Sequence, residues 1–569
     1  MIKNQMVATR TRLIAEHGLV VGGHDLEAEA GIRIMQEGGN AIDAQVAAAF
    51  VGFVVEPAMC GIGGYGRLSI YLANRQEFVT IDHYVRAPLK AHPAMFQSDH
   101  KAAWHYYEHP QSIDRLAEKG YLSPAVPGAV AGLCTAQQLF GRLPLAQVLE
   151  PAIEVAAAGL PVSWDLSLII GERLADIQTM PHIADFLLRD GYPPLYASPY
   201  NQGDTLDTTD LANTLRRIAQ DGPAAFYTGP IAEAIEREVA GGGGILSTAD
   251  LAAYRPKILR EKPARYRGYD YITAYDQVGY EALNILEQFD LAGYGPDSLE
   301  FRHLAAEALG HAFIDNIVHY GDPEHTQSPV NGLASRAFAA ARAAGLRLAQ
   351  AAPRPIQPAD PWPYESEADA PEVLPDRPTL GKPQGTTQMA TADREGNMTA
   401  FITSLSNLFG SLIMVPGTGI ILNNSMQNFD PRPDHPNHVA PGKMPIFAAP
   451  SLVATKDGRA IFSGCGSGGY RIETGVLHTF IHAVDFGMTI QTAVDAPRVH
   501  CQGADTYVDT RIPQGIRDKL AEMGHLVISV ADQPRVTNFG RVCAIWVDPK
   551  TGLMEAGSGP AWNTSAAGY

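Results

Sequence analysis

The sequence predicts a mixed α+β protein. Two segments near the start, 25–37 and 41–55, carry apolar residues at helical spacing, and the second is apolar on almost every side, which indicates a buried helix. Farther along, two alternating runs, 388–392 and 398–404, flank a short Asp/Gly/Asn loop, a pattern typical of a β-hairpin. A chain of 569 residues can bury a large core, and its length alone favours more than one folding unit.

The composition is that of an ordinary globular protein, with 46% hydrophobic and 18% charged residues. The formal net charge of −18 argues against a nucleic-acid partner, because phosphate binding needs a basic surface. The five cysteines are scattered and form no CxxC pair, so we expect buried reduced thiols and neither a disulfide framework nor a zinc knuckle.

The first residues lack the apolar core of a secretory signal, and the longest apolar stretch, 46–55, is too short to span a bilayer. The sequence therefore predicts a cytoplasmic protein without a membrane partner.

Two patterns that could hold a cofactor or a metal ion are rejected. The GxGxxG at 61–66 follows a helix and precedes a strand, which is the reverse of the order in a dinucleotide fingerprint. His303, Glu307 and His311 fall on one helix face, but their spacing is not the HExxH of a helical zinc site. We expect no cofactor and no metal.

Nine prolines lie between Pro353 and Pro383, among acidic residues and without an apolar period. This composition predicts a mobile, solvent-exposed linker over 353–385. It ends at Gly385 and Thr386, where the first strand of the predicted hairpin begins. If the chain were cut between these two residues, Thr386 would carry a hydroxyl nucleophile together with an α-amine of pKa ~8.

Six segments of this chain resemble the γ-glutamyltransferase family of N-terminal-nucleophile hydrolases. They occur in the family's order and at close to its spacing: GTTQ (385–388), ADREGN (392–397), FG (409–410), GIILNNSM (419–426), GGYRI (468–472) and AGY (567–569).

The resemblance implies a four-layer αββα sandwich, in which two stacked antiparallel sheets lie between helical layers. It also implies self-cleavage between Gly385 and Thr386 into a large α fragment, 1–385, and a small β fragment, 386–569, which together form one catalytic unit. Thr386 would be the nucleophile and its freed amine the base, with the N–H groups of Gly468 and Gly469 as the oxyanion hole. Ser404 stands where relatives have a second threonine near the nucleophile.

The chain departs from the family where γ-glutamyl enzymes hold the amino-acid part of their substrate. Tyr84 replaces an arginine that binds the α-carboxylate, and Arg86, two residues later, is a candidate relocated clamp. Asn428 replaces an aspartate that binds the α-ammonium, and Ser406 replaces a substrate-contacting asparagine. Ser425, in the same motif as Asn428, completes the predicted substrate-binding set.

These departures predict an amidohydrolase for a small amide that bears a carboxylate but no α-amino group in the γ-glutamyl position. An oxamate-like amide or an N-acyl compound with a dicarboxylic acyl group, as cephalosporin acylases of the family accept, would fit. Two alternatives stay open: a true γ-glutamyltransferase or glutathione hydrolase, and a non-catalytic binding relative. The sequence leaves open whether two αβ units form a homodimer.

Overall fold

The computed structural model describes residues 9–99, 109–274, 276–365, 385–446, 450–532, 538–560 and 563–569. In chain order its strands are β1 (Leu13–Ala15), β2 (Gly18–Gly22), β3 (Tyr65–Leu72), β4 (Glu77–His83), β5 (Ser98–Asp99), β6 (Gln111–Ser112), β7 (Leu160–Pro161), β8 (Thr205–Leu206), β9 (Lys257–Glu261), β10 (Ala264–Tyr266), β11 (Tyr269–Ile272), β12 (Gly385–Asp393), β13 (Met398–Ser406), β14 (Met414–Val415), β15 (Ile420–Ile421), β16 (Leu452–Lys456), β17 (Arg459–Ser467), β18 (Val499–Cys501), β19 (Asp505–Asp509), β20 (Leu526–Val530), β21 (Arg541–Val547), β22 (Met554–Ser558) and β23 (Ser565–Gly568).

The helices are α1 (Asp25–Gln36), α2 (Ala41–Val55), α3 (Ala129–Phe140), α4 (Leu145–Ala158), α5 (Trp164–Glu172), α6 (Leu174–Ile177), α7 (Pro181–Leu187), α8 (Thr209–Asp221), α9 (Ala224–Tyr227), α10 (Pro230–Gly241), α11 (Thr248–Ala253), α12 (Gln277–Leu286), α13 (Leu291–Tyr294), α14 (Leu299–His319), α15 (Val330–Ala334), α16 (Arg336–Ala344), α17 (Arg471–Val484), α18 (Ile490–Asp495) and α19 (Gln514–Glu522). Among these described helices, none combines the length and the apolar character that crossing a membrane requires.

Two seven-stranded antiparallel sheets form the centre of the molecule. The first has the order β23-β2-β12-β13-β3-β4-β9, and the second has the order β1-β22-β21-β17-β16-β11-β10. They stack face to face, and hydrogen bonds such as Ser463 Oγ to the Thr399 carbonyl (2.6 Å) join them. Helices α1, α2 and α3 cover the first sheet and α4 packs against α2, whereas α12, α17 and α18 lie on the side of the second sheet. The αββα sandwich is therefore confirmed.

The two sheets draw strands from both sides of the Gly385–Thr386 bond. The first sheet takes β2, β3, β4 and β9 from before this bond and β13 and β23 from after it, while β12 contains the bond itself. The second sheet is mixed in the same way. Both predicted fragments therefore contribute strands to each of the two sheets.

Local signals place the elements that surround the predicted site. Helix α2 covers the predicted range, starts at an Asn40 capping box and is buried along its whole length. The hairpin β12–β13 turns at the predicted Asp/Gly/Asn loop, although both of its strands extend beyond the predicted ends. All five cysteines are buried and unpaired, as predicted.

The glycine-rich loop between α2 and β3 lies against other backbone. A Cβ on Gly64 would come within 2.4 Å of the Ser404 carbonyl oxygen, so only glycine fits this position.

Only the first part of the predicted linker belongs to the described residues, and this part is fixed to the fold. Ile356 is buried, and its N–H donates to the Gly503 carbonyl at 2.7 Å. The N–H of Ala359 donates to Asp315 on α14. The expectation of a free segment is wrong for 353–365, because these contacts hold it to both α14 and the β-fragment side. Its remainder, 366–384, lies outside the described residues.

Candidate active site

Thr386 is the second residue of β12 and lies at one end of the first sheet. It pairs with Ser404 on β13, whereas Gly385 pairs with Ser406, so the register shifts by one residue between Gly385 and Thr386. A bulge of this kind redirects a backbone locally and is common beside active sites. Ser406 has a positive φ of 81°, a conformation that costs a non-glycine residue energy and is enriched at functional sites.

Thr386 begins a row of hydroxyl-bearing side chains across the first sheet. Ser404 is its partner on β13, and Tyr65 on β3 is the partner of Ser404. Tyr84 follows β4 directly, and its ring packs edge-on against that of Tyr65 with 4.7 Å between centroids. All four side chains are buried, and burial raises the pKa of both tyrosines, so the row carries no charge at neutral pH.

A second set of polar side chains lies against this row. Ser406 Oγ donates to Asn428 Oδ1 at 3.2 Å, and Asn428 Nδ2 donates to the Tyr84 hydroxyl oxygen at 3.0 Å. Gln427 Nε2 donates to Ser406 Oγ at 3.0 Å. Ser404, Ser425, Ser406 and Asn428 lie near the Tyr65 hydroxyl and partly offset the increase in its pKa that burial causes. The structure thus brings together the predicted residues Ser404, Ser406, Ser425, Asn428 and Tyr84.

The hydroxyl of Ser404 connects the two residues of the predicted cleavage site. Thr386 Oγ1 donates to Ser404 Oγ at 3.3 Å, and Ser404 Oγ donates in turn to the carbonyl oxygen of Gly385. The N–H of Ser406 also donates to Ser404 Oγ, at 2.8 Å. A hydroxyl donor on the Gly385 carbonyl would stabilise negative charge if that carbon were attacked.

Gly468 and Gly469 follow β17 and precede α17. Both have positive φ, 127° and 64°, which glycine adopts without strain. Within the described part of the chain, neither N–H donates to a carbonyl or side chain. The side chain of Arg541 lies between Gly468 and the Thr386 region. Arg541 pairs across the second sheet with Ser467, the residue before Gly468.

Arg541 is a fully buried arginine of β21 that contacts the nucleophile strand directly. Its Nη2 donates to the Thr386 carbonyl oxygen at 3.3 Å and to Thr387 Oγ1 at 3.2 Å. Its Nε donates to Ser467 Oγ at 3.1 Å, and its Nη1 donates to Glu56 Oε1 at 3.1 Å. One guanidinium thereby joins β12, the end of α2 and the last residue of β17, which leads into Gly468 and Gly469. These two glycines are called the glycine loop below.

Two glutamates complete the charge balance beside Arg541. Burial would raise the pKa of Glu56, but the Arg541 charge and the hydrogen bond from Thr387 hold it below its ordinary value. Glu27 lies next to Glu56, and burial together with the Glu56 charge raises its pKa well above the usual range. The two carboxyl groups are therefore shifted in opposite directions: burial and Glu56 favour the neutral form of Glu27, whereas Arg541 favours the charged form of Glu56.

Arg86 is not brought to this row. Its Nη1 donates weakly to the Val85 carbonyl at 3.4 Å, and its positive charge lowers the pKa of Asp322. The guanidinium beside Tyr84 belongs instead to Arg67, whose central carbon lies 5.9 Å from the ring centroid. Arg67 is ion-paired with Asp82 at 2.8 Å and fully buried.

The structure groups His303 and Glu307 with a different third residue from the one that helical spacing suggested. His303 and Glu307 cluster with His525, a residue distant in sequence, and all three are buried. Arg354 donates to Glu307 and to His525 Nδ1, so His525 Nε2 must carry the proton that bonds His303 Nδ1 at 2.8 Å. Because the guanidinium already neutralises Glu307, a metal ion would have to displace Arg354.

The stacked sheets and the threonine at the head of β12 define the class of the protein: it is an N-terminal-nucleophile hydrolase, an enzyme acting on amide bonds. A family model described as Gamma-glutamyltranspeptidase matches residues 28–569, and the chain belongs to this family.

Similar proteins cover nearly the whole chain. The Acylase ACY 1 proenzyme of Pseudomonas sp. (strain SE83) is 35% identical over 557 residues, which is 97% of this chain and 93% of the relative. The Glutathione hydrolase proenzyme of Bacillus subtilis (strain 168) is 31% identical over 562 residues, 98% of this chain and 92% of the relative. The crystal structure of cephalosporin acylase from Bacillus halodurans superposes with a TM-score of 0.84 at 28% identity, covering 100% of this chain and 99% of that one.

Sequence reasoning missed two residues that contact the site. Tyr65 lies within the GxGxxG segment, which drew attention to its glycines alone. Arg541 is a single charged residue at the start of an apolar strand, and such an isolated charge in a buried strand is a signal that it needs a partner.

Proposed function

We propose that this chain is a proenzyme that cleaves itself between Gly385 and Thr386 and then hydrolyses a small amide through an acyl-Thr386 intermediate. The observation that carries this proposal is the contact chain from Thr386 Oγ1 through Ser404 Oγ to the Gly385 carbonyl. It holds a nucleophile, a donor and a target carbonyl together in the uncut chain.

Maturation would begin when Thr386 Oγ attacks the carbonyl carbon of Gly385. The C–N bond breaks, the peptide becomes an ester on Thr386, and the nitrogen becomes a free amine. Water then hydrolyses the ester, which leaves a carboxylate on Gly385 and the hydroxyl on Thr386. Ser404 would stabilise the negative charge that develops on the Gly385 oxygen during the attack.

In turnover, Thr386 Oγ would attack the substrate amide and its own α-amine would accept the proton, the threonine variant of a nucleophile–base pair. The same proton then passes to the leaving amine. The N–H groups of Gly468 and Gly469 would bind the oxyanion. Water releases the acyl group, or an amine intercepts it and a transfer product forms.

The substrate we propose is an amide whose acyl group bears a carboxylate but no α-amino group. Tyr84 and Asn428 are buried, uncharged and hydrogen-bonded to each other, so this part of the site offers hydrogen bonds to a carboxylate but no counter-charge to an ammonium group. A buried ammonium without a carboxylate partner is costly. The similarity to the Acylase ACY 1 proenzyme agrees with this choice.

A second candidate is γ-glutamyl transfer or glutathione hydrolysis. The 31% identity to a Glutathione hydrolase proenzyme over 562 residues favours it. The two candidates share maturation and differ only in the substrate's α-amino group.

Cleavage is tested by denaturing electrophoresis and mass spectrometry of the purified protein. Distribution of 61.1 kDa over 385 and 184 residues predicts fragments of about 41 and about 20 kDa, the smaller starting at Thr386. Thr386→Ala should remain one band. An intact junction in active wild-type material would disprove the mechanism, and an intact, inactive wild type would favour a binding protein.

The substrate is tested with a panel of oxamate, glutaryl, succinyl and γ-glutamyl amides, with Thr386→Ala as the blank. We expect the amides without an α-amino group to be hydrolysed with the higher kcat/KM. A preference for the γ-glutamyl amide would establish the second candidate instead.

A further inference from the structure

Arg541 touches both halves of the proposed catalytic apparatus. Its partner across the second sheet is Ser467, the residue directly before Gly468, and a hydrogen bond joins their side chains. On its other side it donates to the Thr386 carbonyl oxygen and to Thr387 Oγ1. The distance between the nucleophile strand and the glycine loop therefore depends on this side chain.

The bonding requires a guanidinium. Arg541 uses Nε, Nη1 and Nη2 at once, toward acceptors that belong to three different elements. The planar fork of arginine provides five N–H donors in a fixed geometry, whereas a lysine ammonium at the end of a flexible stem cannot reach all of these acceptors together.

Arg541 also lies closer to Thr386 than Glu56 does. The guanidinium bonds to Thr386 itself, but the carboxylate of Glu56 reaches only as far as Thr387, whose hydroxyl donates to it. Within one residue the nitrogen and the carbonyl oxygen are about 3 Å apart, so the positive charge lies within roughly 6 Å of the Thr386 nitrogen.

We propose that Arg541 is a positioning residue of this active site, and that Arg541 and Glu56 act as opposing charges on the amine that cleavage exposes at Thr386. This inference rests on the proposed function, because the amine exists only after the Gly385–Thr386 bond is broken.

The electrostatic consequence follows from the sign of each charge. An α-amine has an ordinary pKa of ~8, and a positive charge within about 4–6 Å disfavours its protonated form. Arg541 would therefore lower the pKa of the Thr386 amine and keep it available as a base near neutral pH, while Glu56 would partly counteract this effect.

Other titratable and charged groups surround this pair. The groups that face the pair or the adjoining glycine loop are His24, Glu27, Cys60, Tyr65, Arg471 and Cys543. Burial raises the pKa of Glu27, of the two cysteines and of Tyr65, which favours the neutral form of each.

The test is the pH dependence of kcat in the mature enzyme, with the amide that the wild type hydrolyses best. Arg541→Gln should raise the apparent pKa of the acidic limb by about one pH unit, and Glu56→Gln should lower it by a similar amount. Arg541→Lys retains the charge without the fork, so it should keep the limb near its wild-type position and reduce kcat at least ~10-fold. Shifts in the same direction, or no shift in either Gln variant, would overturn the inference.

Arg342→Gln is the matched control. It removes a half-buried guanidinium, which pairs with Asp315 between α14 and α16, and it should reduce thermal stability while leaving the pH limb in place. If Arg541→Gln does not accumulate as mature enzyme, Glu56→Gln decides alone, and an unshifted or raised limb rejects the charge effect. Wild-type protein that is not cleaved would disprove the proposed function itself. Cleaved, active wild type, together with variants whose acidic limb of kcat is unshifted, would disprove only this inference.

Discussion

The two sides of Thr386 differ in charge although both are buried. On the side of β13 and β3, Thr386 pairs with Ser404, and Tyr65 and Tyr84 continue the row. The hydroxyls of these three residues carry no charge. Toward β21, Thr386 meets Arg541, which is held by the carboxylate of Glu56. Hydrogen bonds connect residues on both sides, so the contrast between the two sides is electrostatic.

This difference assigns two tasks to different sides of Thr386. The charged side influences the titration of the amine, and the neutral side acts through direct hydrogen bonds. A buried ion pair influences a nearby titratable group over several ångströms, and breaking it by removal of one partner destabilises the fold. Neutral hydroxyls act only through direct hydrogen bonds, which depend on geometry and contribute about 1 kcal/mol each. We therefore expect changes on the neutral side to affect processing and substrate choice with little effect on the pH profile.

The largest effect on the neutral side should come from Ser404→Ala. It removes the hydroxyl that donates to the Gly385 carbonyl, and loss of one donor to a developing oxyanion slows a reaction by roughly 10²–10³. Uncut chain should accumulate in a time course followed by denaturing electrophoresis, and Ser404→Thr should restore cleavage.

Ser463→Ala provides the control for Ser404→Ala. It deletes another buried serine hydroxyl that donates to a backbone carbonyl between the sheets, and it should cleave at the wild-type rate. If Ser404→Ala is processed as fast as this control, the neutral row has no part in maturation.

The sequence predicted the local elements on both sides but only one of the two environments. Helix α2 and the β12–β13 hairpin follow from short-range apolar period and turn residues, so local patterning alone is enough to place them. The neutral side was predicted because Tyr84, Ser406 and Asn428 occupy positions that can be compared with the γ-glutamyltransferase family.

The charged environment depends on contacts between residues far apart in the chain. Arg541 meets Glu56 across 485 positions and Thr386 across 155, and no periodicity in the sequence encodes such pairings. The same limitation explains the linker: a proline-rich composition predicts extension, but the burial of Ile356 against Gly503 is set by a distant loop.

A smaller effect is expected from Asn428→Asp, which places a carboxylate on the neutral side. A charge-assisted hydrogen bond to a substrate ammonium contributes about 1.5–3 kcal/mol, so kcat/KM for a γ-glutamyl amide should rise at least ~10-fold relative to the matching glutaryl amide. The ratio of the two kcat/KM values, measured on one preparation, reports this change independently of the amount of folded enzyme.

Asn284→Asp serves as the control for Asn428→Asp, since Asn284 is a buried asparagine of α12 that donates to the Ala334 carbonyl. It should lower stability without altering the ratio. An unchanged ratio in Asn428→Asp would show that Asn428 does not face the substrate's α position.

The smallest effect should follow Tyr84→Phe, which deletes only the hydroxyl that accepts from Asn428 Nδ2 at 3.0 Å. The loss of one neutral hydrogen bond corresponds to about 1 kcal/mol, so KM for a carboxylate-bearing amide should rise less than ~10-fold while the pH limb of kcat stays fixed. Tyr227→Phe, which removes another buried tyrosine hydroxyl that donates to the Pro127 carbonyl, should leave KM unchanged. A shifted pH limb in Tyr84→Phe would contradict the division between the two sides, because a neutral hydroxyl would then be controlling the charge state of the nucleophile's amine.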